Sequence, residues 1–248
     1  MSEPGSIYLA GVRLDDITLE ETIAYIATMI ADHRPGLVAT VNAEFIKEAQ
    51  TNRAYRQAIN EAALALPDGS GATILAHLRG TPLRARIPGV DLAEELVKEA
   101  AVRGWRLFLL GGAPGTAQQA AAIWTARYPS LQIAGVNEGS SAPGAAPAII
   151  KEIAESKTDI IFAAFSFPRQ ELWISENIAA SGASVGIGLG GTFDYITGQR
   201  RRAPKLWRKL GLEWLYRLLT QPWRYKRMIA VPYMVWLVLR YGSKPSRP

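Results

Sequence analysis

Short apolar runs alternate with amphipathic stretches along the first two thirds of this chain, and no other feature narrows the possible folds as much. Leu37–Val41, Leu64–Leu66, Trp105–Leu110, Leu131–Val136, Asp159–Ala164 and Ser184–Leu189 read as short buried strands. Helical spacing fills the gaps: Thr18 (with Glu21, a capping box) to about His33, Ala43–Ala62 with a break near Asn52, and Ser70–Leu78. Further helices are a segment capped by Asp91 and Glu94 and running to about Arg103, then Thr116–Arg127, Ile149–Ser156 and Gln170–Ala180. Ile7–Leu14 reads as a strand pair turning at Gly11. Buried strands separated by helices pair in parallel and are covered on both faces. The expectation is an α/β fold with a Rossmann-like parallel-sheet core. There is no solenoid-type repeat, and the one low-complexity patch is the loop Ser140–Pro147.

Charge divides the chain. Residues 1–194 hold 15 Lys/Arg against 21 Asp/Glu, whereas residues 195–248 hold 13 Lys/Arg against one acid, Glu213. Four of the seven tryptophans, Trp207, Trp214, Trp223 and Trp236, lie in that basic tail. The expected organisation is a core over 1–194 and a basic, amphipathic helical appendage over 195–248. Lys205–Leu219 reads as one amphipathic helix, followed past Pro222 by Trp223–Tyr241, interrupted at Pro232. The apolar run Ile229–Leu239 has 11 residues, well short of the about 20 needed to span a bilayer. Such helices suit an anionic bilayer surface, with Arg and Lys at the headgroups and Trp at the interface; they equally suit docking on the protein's own core.

Composition removes several kinds of chemistry. Apolar residues make up 48% of the chain and charged residues 20%, which excludes extensive disorder. The absence of cysteine excludes disulfides, thiolate metal sites and a cysteine nucleophile, and two scattered histidines, His33 and His77, do not make a histidine metal site. The N-terminus carries no apolar signal region, so the reducing cytoplasm is the expected compartment. No metal and no cofactor are expected.

In open parallel sheets, ligands bind beyond the carboxyl ends of the strands. Four such ends here are chemically loaded: Thr40, Asn42 and Glu44; Pro67-Asp68-Gly69-Ser70-Gly71; Gly111-Gly112-Ala113-Pro114-Gly115-Thr116; and Gly190-Gly191-Thr192-Phe193-Asp194. Asp68 is placed where a general base would stand, although Pro-Asp-Gly is also an ordinary turn sequence. The Gly111–Thr116 loop can offer backbone N–H groups to a phosphate, or simply turn the chain with φ > 0. Gly111, Gly112, Gly191 and Asp194 are the candidate nucleotide contacts. The Asp15-Asp16 pair lies in a polar turn, and no Asp-x-Asp follows a strand to carry a divalent cation.

Taken together, Thr40-x-Asn42-x-Glu44, Pro67-Asp68-Gly69-x-Gly71, Leu110-Gly111-Gly112, Pro168-Arg169-Gln170-Glu171-x-Trp173 and Gly188-x-Gly190-Gly191-Thr192-Phe193-Asp194 resemble the WecG/TagA/CpsF glycosyltransferases, family 26. Arg202-Ala203-Pro204-x-x-x-Arg208-x-x-Gly211-Leu212-Glu213-Trp214-Leu215-x-Arg217 extends the resemblance over nearly the whole chain. It implies an inverting hexosyltransferase that moves a sugar, commonly of the N-acetylmannosamine type, from UDP to a polyprenyl-diphosphate-linked sugar in surface-polysaccharide or teichoic-acid-type assembly. By that likeness Asp68 is the catalytic base, Thr40, Asn42 and Gln170 line the sugar site with Arg86 beside it, and Arg217, Arg224 and Arg227 meet the diphosphates. The expected partners are the UDP-sugar, the lipid-linked acceptor and an anionic membrane at its cytoplasmic face. Phe165-Ser166-Phe167 departs from the family's Gly-x-Gly or Gly-x-Ala, and two aromatics there would narrow the pocket. The loop Asn137-Glu138-Gly139 also lacks the family's usual aromatic.

Two other classes share parts of this pattern. A nucleotide-dependent oxidoreductase uses the same scaffold but should show GxGxxG with an acid about 20 residues on, which is missing. A nucleic-acid-binding module would use the basic, aromatic tail, yet would leave the loaded strand ends unexplained.

Overall fold

A computed structural model describes residues 4–139, 143–204, 206–207, 210–220 and 229–241. The chain opens with an antiparallel hairpin, β1 (Ser6–Leu9) and β2 (Val12–Asp15), then α1 (Leu19–Ala31), β3 (Gly36–Val41), α2 (Ala43–Glu48), α3 (Arg53–Asn60) and β4 (Leu64–Pro67). It continues through α4 (Ser70–Leu78), α5 (Gly89–Arg103), β5 (Arg106–Gly111), α6 (Thr116–Arg127), β6 (Gln132–Asn137), α7 (Ala146–Glu155) and β7 (Ile160–Ala164). The remaining elements are α8 (Arg169–Ser181), β8 (Val185–Gly188), α9 (Thr192–Ile196), α10 (Glu213–Thr220) and α11 (Ala230–Tyr241). Strands β3 to β8 form one six-stranded sheet, ordered β4-β3-β8-β7-β5-β6, and every neighbouring pair is parallel. The expected Rossmann-like α/β architecture is what the chain adopts.

Strand periodicity explains the two cores. Along β5, Leu107 and Leu109 point to one face and Phe108 and Leu110 to the other, and β7 repeats this with Ile160 and Phe162 against Ile161 and Ala163. The first face packs on α1, α5, α6 and α9 through Ile26, Leu96, Trp124 and Phe193. The second packs on the hairpin and on α2, α3, α7 and α8 through Leu14, Ile46, Tyr55, Ile153 and Ile174. Both faces are therefore dry, as parallel sheets require.

The first acidic pair has structural work. Asp15 is 1% exposed and its carboxylate accepts the Ala65 N–H of edge strand β4 at 2.7 Å and the Ser6 hydroxyl at 2.8 Å. Arg13 balances it at 3.2 Å while donating to the Asn60 and Ala62 carbonyls. The hairpin thereby covers an open sheet edge. Asp16 instead holds Arg84.

Several local expectations need correction. Helix α5 starts at Gly89 behind Pro88, so Asp91 sits inside the first turn and binds Arg202 rather than capping. The single helix expected over Lys205–Leu219 is broken: Leu210 and Gly211 form a turn, with Gly211 at φ +71°, and α10 begins at Glu213. Pro232 does not interrupt α11, because it falls in the first turn, where a missing N–H breaks no helix bond. Helix α9 was not expected at all. Of the Ser140–Pro147 patch, residues 140–142 lie outside the described residues, and Pro143–Ala145 makes a 3₁₀ turn into α7.

One face of helix α11 takes the docking reading of its apolar run. It docks on α2 and α4 and buries Met234, Leu237 and Val238 within the second core, while Trp236 and Leu239 stay 49% and 67% exposed.

Removing the edge cover tests its weight. Asp15→Ala leaves the partly buried Arg13 without its counter-ion and the Ala65 N–H unpaired, and it should lower the unfolding free energy by about 3–5 kcal/mol in urea titration.

Candidate active site

The carboxyl ends of β3, β4, β5, β7 and β8 open onto one cavity of about 480 Å³, within the range of small-molecule sites. A smaller cavity of about 120 Å³ adjoins it, and Asn42, Glu44, Asp68 and Glu213 belong to the walls of both. Asp68 therefore stands on the boundary between two compartments. It reaches that place because its own N–H extends the sheet, donating to the Val41 carbonyl at 2.9 Å, while the Pro67 carbonyl is held by the Ile87 N–H at 2.7 Å. Asp68 thus follows β4 directly and precedes α4, at the cavity boundary.

Thr40, Asn42 and Gln170 line the larger cavity. Thr40 is almost fully buried at the end of β3, and Gly89 lets α5 begin against it: a Cβ there would lie 3.2 Å from the Thr40 hydroxyl. Asn42 caps α2, its carbonyl oxygen accepting the Glu44 N–H at 2.9 Å. The Gln170 amide accepts the Gly190 N–H at 3.0 Å and donates to Glu171 at 2.6 Å. Arg86 lines the smaller cavity, 3.9 Å from the Glu213 carboxylate.

The glycine-rich ends are less open than their sequence suggests. Gly112 and Gly191 lie on the wall of the larger cavity. Gly111 is not among the lining residues, and a Cβ there would press on the Phe165 ring at 2.9 Å. The Gly112, Gly115 and Thr116 N–H groups already donate to the Ala164 carbonyl, the Glu138 carboxylate and the Ala113 carbonyl, so the loop is not a cradle of bare donors. Glu138, in the segment without the usual aromatic, thus clamps this turn.

Phe165 and Phe167 border the cavity, yet their rings are anchored in the second core. Phe167 stacks on Phe45 at 5.1 Å and meets Tyr55 edge-on at 5.5 Å, and Phe165 meets Trp173 edge-on at 5.7 Å. The Phe167–Pro168 peptide is cis.

Arg202, in the sequence the first residue of a family-like motif, and Arg200, there only one of the tail charges, both stand on the wall of the larger cavity. Asp194 ties down Arg200 at 2.9 Å, and Asp91 takes the fork of Arg202, with the longer contact at 2.7 Å. Burial opposes the Arg202 charge, but the Asp91 hydrogen bonds and the fields of Asp91, Glu213 and Asp68 outweigh it and raise its pKa. Glu213, the one acid of the tail, is 8% exposed at the meeting of the cavities. The Arg202–Asp91 pair gave no signal in the sequence, because its partners lie 111 residues apart. The Arg217 side chain and residues Arg224 and Arg227 lie outside the described residues.

Among the described residues no three His, Asp or Glu side chains group to hold a metal ion, and no helix is long and apolar enough to cross a membrane.

Comparison with known proteins agrees with this geometry. Three similar proteins each carry the name N-acetylglucosaminyldiphosphoundecaprenol N-acetyl-beta-D-mannosaminyltransferase. The one from Bacillus spizizenii is 33% identical over 94% of this chain and 90% of its own length. The one from Bacillus subtilis is 34% identical over 90% and 86%, and the one from Staphylococcus aureus 30% over 98% and 96%. The model of the glycosyl transferase WecG/TagA/CpsF family matches residues 7–248. The chain belongs to the WecG/TagA/CpsF family and is a glycosyltransferase.

Proposed function

We propose that this enzyme moves an N-acetylmannosamine-type sugar from UDP onto a polyprenyl-diphosphate-linked sugar, with inversion, without a metal ion, and at the cytoplasmic face of a membrane. The names of its relatives support the sugar and the lipid-linked acceptor. The observation that carries the mechanism is Asp68 on the shared wall of two cavities. A transferase needs its base between donor and acceptor, and a carboxylate there can take the acceptor's hydroxyl proton as that oxygen attacks the anomeric carbon. The donor occupies the larger compartment, with its sugar against Thr40, Asn42 and Gln170 and its nucleotide towards Gly112, Gly191 and Asp194. The acceptor enters by the smaller one, beside Arg86. Attack from the face opposite the departing UDP inverts the anomeric centre.

The bond to the sugar breaks with its electron pair going to the UDP oxygen, so positive charge must meet that diphosphate. Asp-x-Asp is missing from the strand ends, and arginines line the walls instead: Arg200 and Arg202 in the larger cavity, Arg86 in the smaller. Arginine forks match phosphate oxygens two at a time. Arg217, Arg224 and Arg227 add to them at the acceptor's diphosphate in this reading. The exposed Trp236 and Leu239, on a helix already docked on the core, supply an apolar face for the bilayer interface.

The oxidoreductase and nucleic-acid readings find no support in the family to which the chain belongs.

Asp68→Asn should retain the fold and most of the UDP affinity while lowering turnover roughly 10²- to 10⁴-fold. Near wild-type turnover in that variant returns Asp68 to a plain turn. Transfer measured as UDP release should continue in excess EDTA; loss of activity that Mn²⁺ or Mg²⁺ restores contradicts charge compensation by arginine. Sedimentation with anionic vesicles should exceed that with neutral ones, weaken as salt rises, and fall when Trp236 and Leu239 are both replaced by serine.

A further inference from the structure

The segment that brings Gln170 to the cavity also carries Glu171, which has no part in the mechanism above. Glu171 is fully buried and is not among the residues of either cavity wall. Its Oε1 accepts the 2.6 Å hydrogen bond from Gln170 Nε2, and its Oε2 is buried with no hydrogen-bond partner among the described residues. The pair is pressed against β8: a Cβ on Gly188 would lie 2.6 Å from Glu171 Oε1 and 2.7 Å from Gln170 Nε2. Only a glycine leaves room for them.

The surroundings offer this carboxyl no positive charge. Tyr55 of α3 lies in the field of Glu171 as well as of Glu44 and Glu48 of α2, and each of these is an acid. Strands β3, β7 and β8, against which α8 packs, contain no titratable residue; Arg53 of α3, Arg169 of α8 and Lys151, Glu152 and Glu155 of α7 are solvent-exposed, Arg56 of α3 is half-buried, and burial rather than any cation governs the Glu171 carboxyl. A carboxylate buried with one oxygen unpaired and no cation is far costlier than a neutral carboxyl in the same place.

We propose that Glu171 works as an uncharged carboxylic acid that fixes the orientation of the Gln170 amide in the cavity wall. It is a positioning residue, acting through Gln170, and the proposal rests on the reading of Gln170 as a substrate contact. Two bonds define which end of the amide is which. Gly190 N–H requires the oxygen, and the carbonyl oxygen of protonated Glu171 requires the nitrogen. One N–H and one lone pair of the amide remain for the donor sugar. Ionisation would turn this carboxyl into a stronger acceptor for the Gln170 amide it already binds, and the remaining N–H would then be drawn from the substrate. Burial pushes the Glu171 carboxyl up to about 8, so the neutral form dominates at neutral pH.

The test uses the full chain with UDP-N-acetylmannosamine and a short-chain lipid-diphosphate N-acetylglucosamine acceptor. In wild type, donor KM should rise roughly 2- to 10-fold above about pH 8, the worth of one hydrogen bond, with a smaller change in kcat. Glu171→Gln, neutral at every pH, should keep the low KM and abolish the alkaline rise, whereas Glu171→Ala should have raised KM throughout. A Glu171→Gln enzyme as impaired at neutral pH as Glu171→Ala, or one that keeps the alkaline rise, overturns the proposal. If Gln170→Ala leaves donor KM unchanged, the reading of Gln170 fails and the positioning role goes with it.

The protonation state has its own readout, independent of Gln170. A carboxyl raised in the folded chain binds its proton there while the unfolded chain has lost it, so its contribution is complete below about pH 4.5 and lost as pH rises to about 8. Glu171→Gln should therefore gain stability relative to wild type across that window and stay level above it. A pH-independent difference overturns the neutral acid. Should the variant not fold, a protonated-carboxyl stretching band in the infrared spectrum of wild type at neutral pH, vanishing in alkali, supports the proposal, and its absence overturns it.

Discussion

Because all six strands of the central sheet run in one direction, every strand-to-helix turn falls at the same edge, and the chemistry of the molecule has one place to be. Parallel ladders also leave both faces to be covered by helices, which keeps water and side-chain polarity out of the sheet itself. The polar residues that follow β3, β4, β7 and β8 are thus pushed together at the carboxyl edge. The order β4-β3-β8-β7-β5 does the rest: it brings Asp68, Thr40, Gly188 and Ala164 to the ends of neighbouring strands although Thr40 and Gly188 are 148 residues apart in the chain.

Around that edge the site is built from opposed charges rather than from isolated ones. Arg202 is held by Asp91, Arg200 by Asp194 and Arg86 stands near Glu213. An arginine whose planar fork is already oriented loses less freedom when a phosphate arrives than one swinging in solvent. The same pairing keeps the cavity wall intact before any ligand binds, since unpaired guanidinium groups crowded together would repel. Paired acids also temper the attraction for phosphate, which suits the proposed release of UDP in each cycle.

The fold was legible because it depends on local patterns: the capping box at Thr18 and Glu21, the break at Asn52 and the strand runs all reappear in the structure. Asp68, Thr40, Asn42 and Gln170 were legible as candidates for a related reason, since each stands within a few residues of a strand end or in a motif with family resemblance. What stayed hidden depends on distance in the chain. Nothing near Asp91 announces that Arg202 will claim its carboxylate, so the residue read as a cap. Gly211 falls inside the stretch read as one helix, yet its positive φ and the Ser70 hydroxyl on its carbonyl make it the corner where the tail meets α4. The glycines at 111 to 115 suggested open donors, and only the neighbouring strand and Glu138 reveal that several of those donors are taken.

The appendage shows how one short sequence can serve two surfaces. Charge alone separates residues 195–248 from the rest, but packing does not. Ala203 is buried, Glu213 enters the wall beside Asp68, and Met234, Leu237 and Val238 complete the core behind α2. A helix that spends one face on the protein has its other face fixed in direction. Trp236 and Leu239 are therefore presented by a rigid element, with Arg240 lying over the Trp236 ring at 5.5 Å. A tryptophan and an arginine held together in this way form the kind of edge that sits between acyl chains and headgroups. An apolar contact made there is transmitted through α11 to α2, whose first turn carries Glu44 and whose cap is Asn42. In the proposed reading, docking at the bilayer and alignment of the acceptor beside Asp68 would both follow from this one rigid contact.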